Sequence, residues 1–301
     1  MHDLQPSVAI IIPCFNRWPY VVEAIDSVLE QTWPNTRCII VDDASTDDSY
    51  PRLRERYSGV PRVAIHQLEN NQGQSAARNR GVELSDADYI GFLDSDDLLV
   101  VTAVENRMRL ALEHPAFEGI IFSDKIAETT GASLLPGKKV VGAELPLSEF
   151  IENGNWLHTN SFLIKRSTFN KLKGFNEHLR KKEDIEFFLR ALVDQPARYA
   201  GGSCCMVRSM DSQRARHDHP RIIEQGERFI AAIQANAALT EVLTHAQLTR
   251  LVEDDTKSIL QSLYRLKRGQ QFRHTLRDAI RQRKVQLNPR LAKRYLLSFF
   301  N

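Results

Sequence analysis

The chain reads as an α/β protein, a Rossmann-like and mostly parallel central sheet flanked by helices, followed by a C-terminal helical extension. Three observations predict this. Short apolar runs recur without polar alternation, the pattern of strands buried on both faces. Each run stops at polar or acidic residues, and stretches of helical period lie between the runs. After Pro220 only helical spacing remains.

The first unit opens with a β-branched run over residues 7–12, which Pro13 is expected to end. Cys14-Phe15-Asn16-Arg17 makes a loop, and Val21, Ala24, Ile25, Val28 and Leu29 recur at helical spacing until Pro34 forbids continuation. Cys38-Ile39-Ile40-Val41 repeats the buried-strand pattern and ends on Asp42-Asp43-Ala44-Ser45. In an open α/β sheet ligands bind beyond the carboxyl ends of the strands, so Asp43 is placed to accept hydrogen bonds from a base or ribose; a plain turn aspartate is the alternative. A third strand over residues 63–68 leads to Gly73-Gln74-Ser75-Ala76-Ala77-Arg78. Small residues at a helix start favour an anion at the open N–H groups, where Arg78 could reach a phosphate or simply be solvated.

The fourth run, Tyr89-Ile90-Gly91-Phe92-Leu93, turns sharply acidic at Asp94-Ser95-Asp96-Asp97. Three carboxylates in four residues repel one another, and a divalent cation between Asp94 and Asp96 relieves the repulsion. Hard oxygen ligands suit Mg²⁺ or Mn²⁺, which complete their shells with phosphates and water. For Asp97 the alternative is an N-cap on a helix starting near Leu98.

Taken in order and spacing, Ile11-Ile12-Pro13-Cys14-Phe15-Asn16, Val41-Asp42-Asp43-Ala44-Ser45, Asn71-Gln72-Gly73-Gln74-Ser75-Ala76-Ala77-Arg78-Asn79 and Phe92-Leu93-Asp94-Ser95-Asp96-Asp97 resemble the signatures of glycosyltransferase family 2. The resemblance covers about residues 6–210. It implies a GT-A fold, a nucleotide-sugar donor, a divalent metal at Asp94 and Asp96, and inversion at the anomeric carbon. Pro13, Asn16, Asp43, Gly73, Arg78, Asp94 and Ser95 would then line the donor site.

Beyond the acidic loop, residues 102–114 read as an amphipathic helix and 119–123 as a strand. Residues 124–157 carry Gly and Pro with little periodicity, which suits a variable loop region where an acceptor is expected. There Trp156 and His158 could meet a sugar by stacking and hydrogen bonding, or be a packed Trp and a surface His. Residues 159–166 look like a strand returning to the sheet. Lys182-Glu183-Asp184-Ile185 opens a helix whose buried stripe includes Phe187, Phe188, Ala191 and Leu192. Acids in a first turn favour the helix dipole. The segment also resembles the family's Glu-Asp motif, on which match Asp184 is the catalytic base and Glu183 faces the acceptor. Arg208 begins a stretch similar to the family's basic loop over the diphosphate, but Met210 stands where a His is often found, and His217 or His219 are the substitutes at hand.

These readings divide the chain into a catalytic domain, residues 1–210, and a helical extension, residues 211–301. The nucleotide-sugar half of the catalytic domain spans about 6–123 and the acceptor and base half 124–210. No run of about 18 uncharged apolar residues occurs and no leader precedes the first strand, which suggests a cytoplasmic protein. Cys14, Cys38, Cys204 and Cys205 lack metal-type spacing and are expected to be reduced. The net charge of +2 hides an asymmetry: residues 261–301 carry eleven Lys or Arg against Asp278 alone. This basic end is either a solvated face or a peripheral contact with the anionic inner face of a membrane.

The expected activity is transfer of a sugar, from a UDP donor, to a hydroxyl of a glycan or lipid-linked glycan in cell-surface polysaccharide synthesis. A nucleotidyltransferase is an alternative, but residues 13–16 are not a glycine-rich loop with a basic residue. Nucleic-acid binding would explain the basic end and not the strand-end acids, so no specific nucleic acid is expected.

Overall fold

The computed structural model describes residues 5–127, 141–153, 157–208 and 218–299. The chain divides into two compact units, residues 1–210 and 211–301. In the first, the described strands are β1 (Val8–Cys14), β2 (Thr36–Asp42), β3 (Val63–Gln67), β4 (Tyr89–Phe92), β5 (Leu98–Leu99), β6 (Ile121–Ala127), β7 (Glu144–Leu145), β8 (Phe162–Lys165) and β9 (Ala197–Val207). They form one sheet in the order β3-β2-β1-β4-β8-β6-β9-β5, with β7 also on β9. The strands from β3 to β4 are parallel. β8 enters antiparallel between β4 and β6, and β6 and β9 are again parallel.

Ile10, Ile11 and Ile12 are all buried, as an unalternating run on a sheet covered on both faces must be. On one face helix α1 (Tyr20–Leu29) buries Val21, Ala24, Ile25 and Val28. Helix α3 (Gln74–Glu83) lies so close to β1 that a Cβ on Gly81 would stand 2.2 Å from Ile11 Cγ2. Strand order reverses its direction of growth at β1, since β2 and β3 add on one side and β4 on the other. The crevice this creates opens beyond the carboxyl ends of β1 and β4.

Three local expectations are corrected. Pro13 does not end β1, which continues to Cys14 in register with Asp42. The ladder to β4 stops at Ile11–Phe92, so the N–H that Pro13 lacks would have pointed to a side where no strand remains. Leu98 does not start a helix: β5 pairs with β9, and helix α4 (Ala103–Glu113) begins four residues after it, so Asp97 is not a helix cap. Residues 159–161 form a 3₁₀ turn, and only from Phe162 does the chain rejoin the sheet.

Helix α7 (Glu183–Asp194) is tied to the sheet through aromatic packing. Phe92, Phe162, Phe169, Phe175 and Phe187 are all buried, with ring centroids 4.8 to 5.9 Å apart. Phe187→Ala would empty the middle of this cluster one turn from Asp184, and it is expected to destabilise the chain by about 3–5 kcal/mol. Urea unfolding measures this, and a midpoint unchanged from wild type would refute the packing argument.

The second unit is helical: α8 (His219–Ala235), α9 (Ala237–Val242), α10 (His245–Arg265), α11 (Gly269–Arg281) and α12 (Pro289–Leu297). Its core gathers Ile223, Ile259, Leu260, Leu263, Phe272 and Leu276. Helix α8 ends at Ala235, and the Asn236 side chain accepts from the Leu239 N–H to cap the short helix α9. Thr244 and Gln247 form a capping box at the start of α10. No helix of the described residues is long and apolar enough to cross a membrane.

Candidate active site

The loops after β1 and β2 are stitched together by short polar side chains. Asn16 donates its N–H to Ser45 Oγ at 2.9 Å, and its Oδ1 accepts the Thr46 N–H at 2.8 Å. Ser45 in turn donates to Asp42, and Ser49 Oγ accepts the N–H groups of Arg17 and Trp18. Asp43 reaches across to the loop before α3, where its two carboxylate oxygens accept the N–H groups of Gln72 and Gly73 at 2.7 and 2.8 Å. Burial pushes its carboxyl up against the lowering pull of those two N–H groups and of Arg180. Gly73 has φ +89°, and a Cβ there would fall 1.8 Å from Arg180 Nη1. The turn therefore takes glycine both for its backbone and for the guanidinium lying over it.

Around the acidic loop one cation organises the carboxylates. Arg78 is 2% exposed; it donates to Asp94 Oδ1 at 2.7 Å, Glu183 Oε1 at 3.0 Å and Gln74 Oε1 at 3.1 Å, and its guanidinium carbon stands 5.4 Å from the Phe175 ring centroid. The alternative of a solvated Arg78 gives way to this. It lies behind the carboxylates, where two acids from distant segments neutralise it. Burial alone would raise the Asp94 carboxyl, yet Arg78, with His158 and Arg17, holds it below the ordinary aspartate value.

Asn160 is wholly buried; its Oδ1 accepts the Asp94 N–H at 2.9 Å and its Nδ2 donates to Asp97 Oδ2 at 2.6 Å. The other Asp97 oxygen accepts the Arg208 N–H at 2.8 Å. Asp97 is thus a structural clamp between β9 and the acidic loop, and burial pushes its carboxyl up to about 7. The Arg208 side chain pairs with Glu23 of α1. Asp96 makes a longer pair, 3.6 Å from Arg17 Nε. Burial and the neighbouring Asp94 charge push its carboxyl up, with Arg17 pulling the other way.

This donor set fits a divalent cation. The Asp96 carboxylate meets Arg17 at a long 3.6 Å, burial and Asp94 make its charge unfavourable as it stands, and the Arg78 hydrogen bond to Asp94 falls on Oδ1. Among the described residues no three His, Cys, Asp or Glu side chains form a ready metal cluster. Two carboxylates with the remaining positions left to phosphate and water is the arrangement Mg²⁺ commonly takes.

Asp184 follows Glu183 in the first turn of α7, half-buried, with the Ile185 N–H on its Oδ1 at 2.8 Å. Burial and then the Glu183 charge raise its carboxyl above the ordinary value, against Ile185 and Arg78. His158 caps the 3₁₀ turn and is half-buried, so it is not a surface histidine; burial lowers its basicity and Asp94 opposes that. Lys125 of β6 is also lowered by burial, with Asp184 among the charges opposing it.

The fold thus gathers Asp94, Asp96, Arg78, Glu183, Asp184 and His158 at one end of the sheet, with Pro13 at the end of β1, Asn16, Asp43 and Gly73 in the adjoining loops, and Ser95 buried in the acidic loop. Trp156 and His217 lie outside the described residues. His219 meets Ser262 Oγ at 3.2 Å within the second unit. Sequence reasoning missed Asn160, Arg17, Arg180 and Lys125. Only Arg180 carried a local signal, as the first of three consecutive cations before Glu183.

A parallel half-sheet with its switch-point crevice lined by paired carboxylates is the frame of a nucleotide-dependent transferase. The family model described as "Glycosyl transferase family 2" matches residues 9–210, and the chain belongs to that family as a glycosyltransferase. An uncharacterized glycosyltransferase of Haemophilus influenzae is 31% identical over 209 residues, 68% of this chain and 80% of that protein. Chondroitin synthase of Escherichia coli is 28% identical over 70% of this chain, which spans 32% of that longer protein. The putative teichuronic acid biosynthesis glycosyltransferase TuaG of Bacillus subtilis is 34% identical over 38% of this chain and 45% of its own. The fold is shared with S. aureus TarS 1–349 crystallised in complex with UDP, at TM-score 0.62 and 17% identity over 83% of this chain and 70% of that one. A second crystal structure, with UDP-GlcNAc, gives TM-score 0.61 at 16% identity, over 85% and 82%. The expected fold and enzyme class stand, and the chain is a glycosyltransferase rather than a nucleotidyltransferase or a protein without enzymatic activity.

Proposed function

We propose that the chain is a metal-dependent, inverting transferase that moves a sugar from a UDP-sugar to a hydroxyl of a glycan or lipid-linked glycan in polysaccharide biosynthesis. The observation that carries it is Asp184, a half-buried carboxylate of raised basicity held beside the Arg78-bridged pair Glu183 and Asp94. The likeness to TarS, solved with UDP and UDP-GlcNAc, supports the donor class, and the names of TuaG and chondroitin synthase support a polysaccharide setting.

In this reading uracil and ribose lie along Pro13, Asn16 and Asp43, whose oxygens keep lone pairs beyond those used by the Gly73 turn. Ser95 and Gly73 border the sugar diphosphate, with Arg208 at its far side. Asp184 takes the proton of the acceptor hydroxyl as that oxygen attacks the anomeric carbon. The bond from that carbon to the diphosphate breaks on the opposite face, the electron pair leaves with UDP, and the new glycosidic bond is inverted. Asp94 and Asp96 would hold a divalent cation, which when bound would supply Lewis-acid stabilisation of the diphosphate. Glu183 keeps Arg78 in place, while His158 borders the acceptor.

Release of UDP, GDP and dTDP from a panel of nucleotide sugars, with and without Mn²⁺, tests the donor and the metal together. Asp96→Ala is expected to weaken Mn²⁺-supported UDP binding by roughly 10-fold or more, since even losing a group behind a metal ligand commonly has that effect. Calorimetric titration reads it, and an unchanged affinity would move the metal elsewhere.

A further inference from the structure

The helical unit ends in a surface that the transfer reaction does not use. Helix α12 is docked from one side: Leu291 and Tyr295 pack against the core, Arg273 donates to the Ser298 carbonyl, and its guanidinium stands 4.2 Å from the Phe299 ring centroid. Arg294 stands 5.2 Å from the centroid of Tyr264. With the helix so fixed, Leu296 remains 65%, Phe299 58% and Leu297 43% exposed, and Leu287, just before the helix, is 57% exposed. These are not side chains waiting for this unit's own core, which Phe272, Leu276 and Val285 already fill.

Arg290 and Lys293 are exposed as well, and they precede Leu297 by seven and four residues, which places them on the same helix face. The free side of α12 is therefore cationic in its first turns and apolar in its last. Exposed Arg277 and Arg281 of α11 add to the charge of a segment, residues 261–301, that carries Asp278 as its one acid.

We propose that this face of α12, with Leu287, docks the protein onto an anionic lipid bilayer. Basic side chains would meet lipid phosphates while Leu287, Leu296, Leu297 and Phe299 enter the acyl boundary. A nucleic acid would satisfy the cations and leave four apolar side chains in water, and a second copy would bring two strongly cationic segments together. Charge and apolarity side by side select lipid over both. This inference does not depend on the donor or the metal.

The test is co-sedimentation of the full chain with phosphatidylcholine vesicles and with vesicles containing phosphatidylglycerol. Binding is expected only to the anionic vesicles and to weaken with salt. Two variants carry exposed changes and should keep the wild-type melting temperature: Leu296→Ser/Leu297→Ser, and Arg290→Glu/Lys293→Glu. Each is expected to lower vesicle affinity about 10-fold or more. The proposal is overturned if the wild type ignores anionic vesicles at low salt, if both variants bind like wild type, or if the serine variant keeps full affinity, which would mark a general polyanion site. It is equally overturned if the wild type is a dimer in sedimentation and the serine variant a monomer, which would mark a protein interface.

Discussion

Asp184→Asn is expected to lower kcat by roughly 10² to 10⁴-fold while leaving UDP affinity nearly unchanged. The amide keeps the shape of the carboxylate and can accept the Ile185 N–H as Asp184 does now, but it cannot take a proton from an acceptor hydroxyl. Because burial raises the Asp184 carboxyl, the wild-type rate should fall on the acid side at a pH above the ordinary aspartate range, and the variant should lose that limb. The stability effect has the opposite sign. A carboxyl raised in the folded state contributes most below its unfolded pKa, and the contribution is lost as pH rises through the folded value. At neutral pH the asparagine variant should therefore melt no lower than wild type. A variant with wild-type kcat would pass the role of base to another group.

The second large effect is expected at Arg78. Arg78→Met removes the cation between Asp94 and Glu183 and leaves two partly buried carboxylates facing each other. Breaking one side of a buried ion pair is expected to destabilise the chain by about 3–5 kcal/mol. Arg78→Lys should recover only part of this, since an ammonium does not span two carboxylates and Gln74 as the guanidinium fork does. The lowered Asp94 carboxyl adds a pH signature: its stabilisation is present above the unfolded aspartate pKa and lost as pH falls through the lower folded value. Urea unfolding between neutral and acid pH measures both, and a loss below about 1 kcal/mol at neutral pH would mean that Arg78 is not the keystone of the site.

The strands that carry the crevice were legible because burial on both faces writes itself as an unbroken apolar run: residues 8–12, 38–41 and 89–93 need no partner to be recognised. Asp94 and Asp96 were legible because mutual repulsion over so short a span demands a counter-charge. What the sequence could not show is where that counter-charge comes from. Arg78 meets Glu183 from 105 residues away, and Asn160 meets Asp97 from 63. A lone Arg or Asn carries no periodicity, so its partner is known only once β4, β8 and α7 have been assembled. Pro13 and Leu98 misled for a related reason. A local rule about proline or helix caps was overruled by which neighbouring strand happened to be present.

The outer rim of β9 has a consequence for how this sheet behaves among other proteins. β7 covers Ala197 and Arg198, Tyr199 exchanges hydrogen bonds with Gly142 and Ala143, Val100 donates to the Cys204 carbonyl, and β5 covers Cys205 and Met206. Between these patches Gly201 and Gly202, at φ +79° and +65°, bend the backbone out of strand geometry. At the opposite rim β3 is only five residues long. A foreign strand would therefore meet no long row of open amides and carbonyls on β9. Among the described residues, short pieces of strand and two left-handed glycines thus break up the far border, where an unbroken edge would invite pairing with another chain.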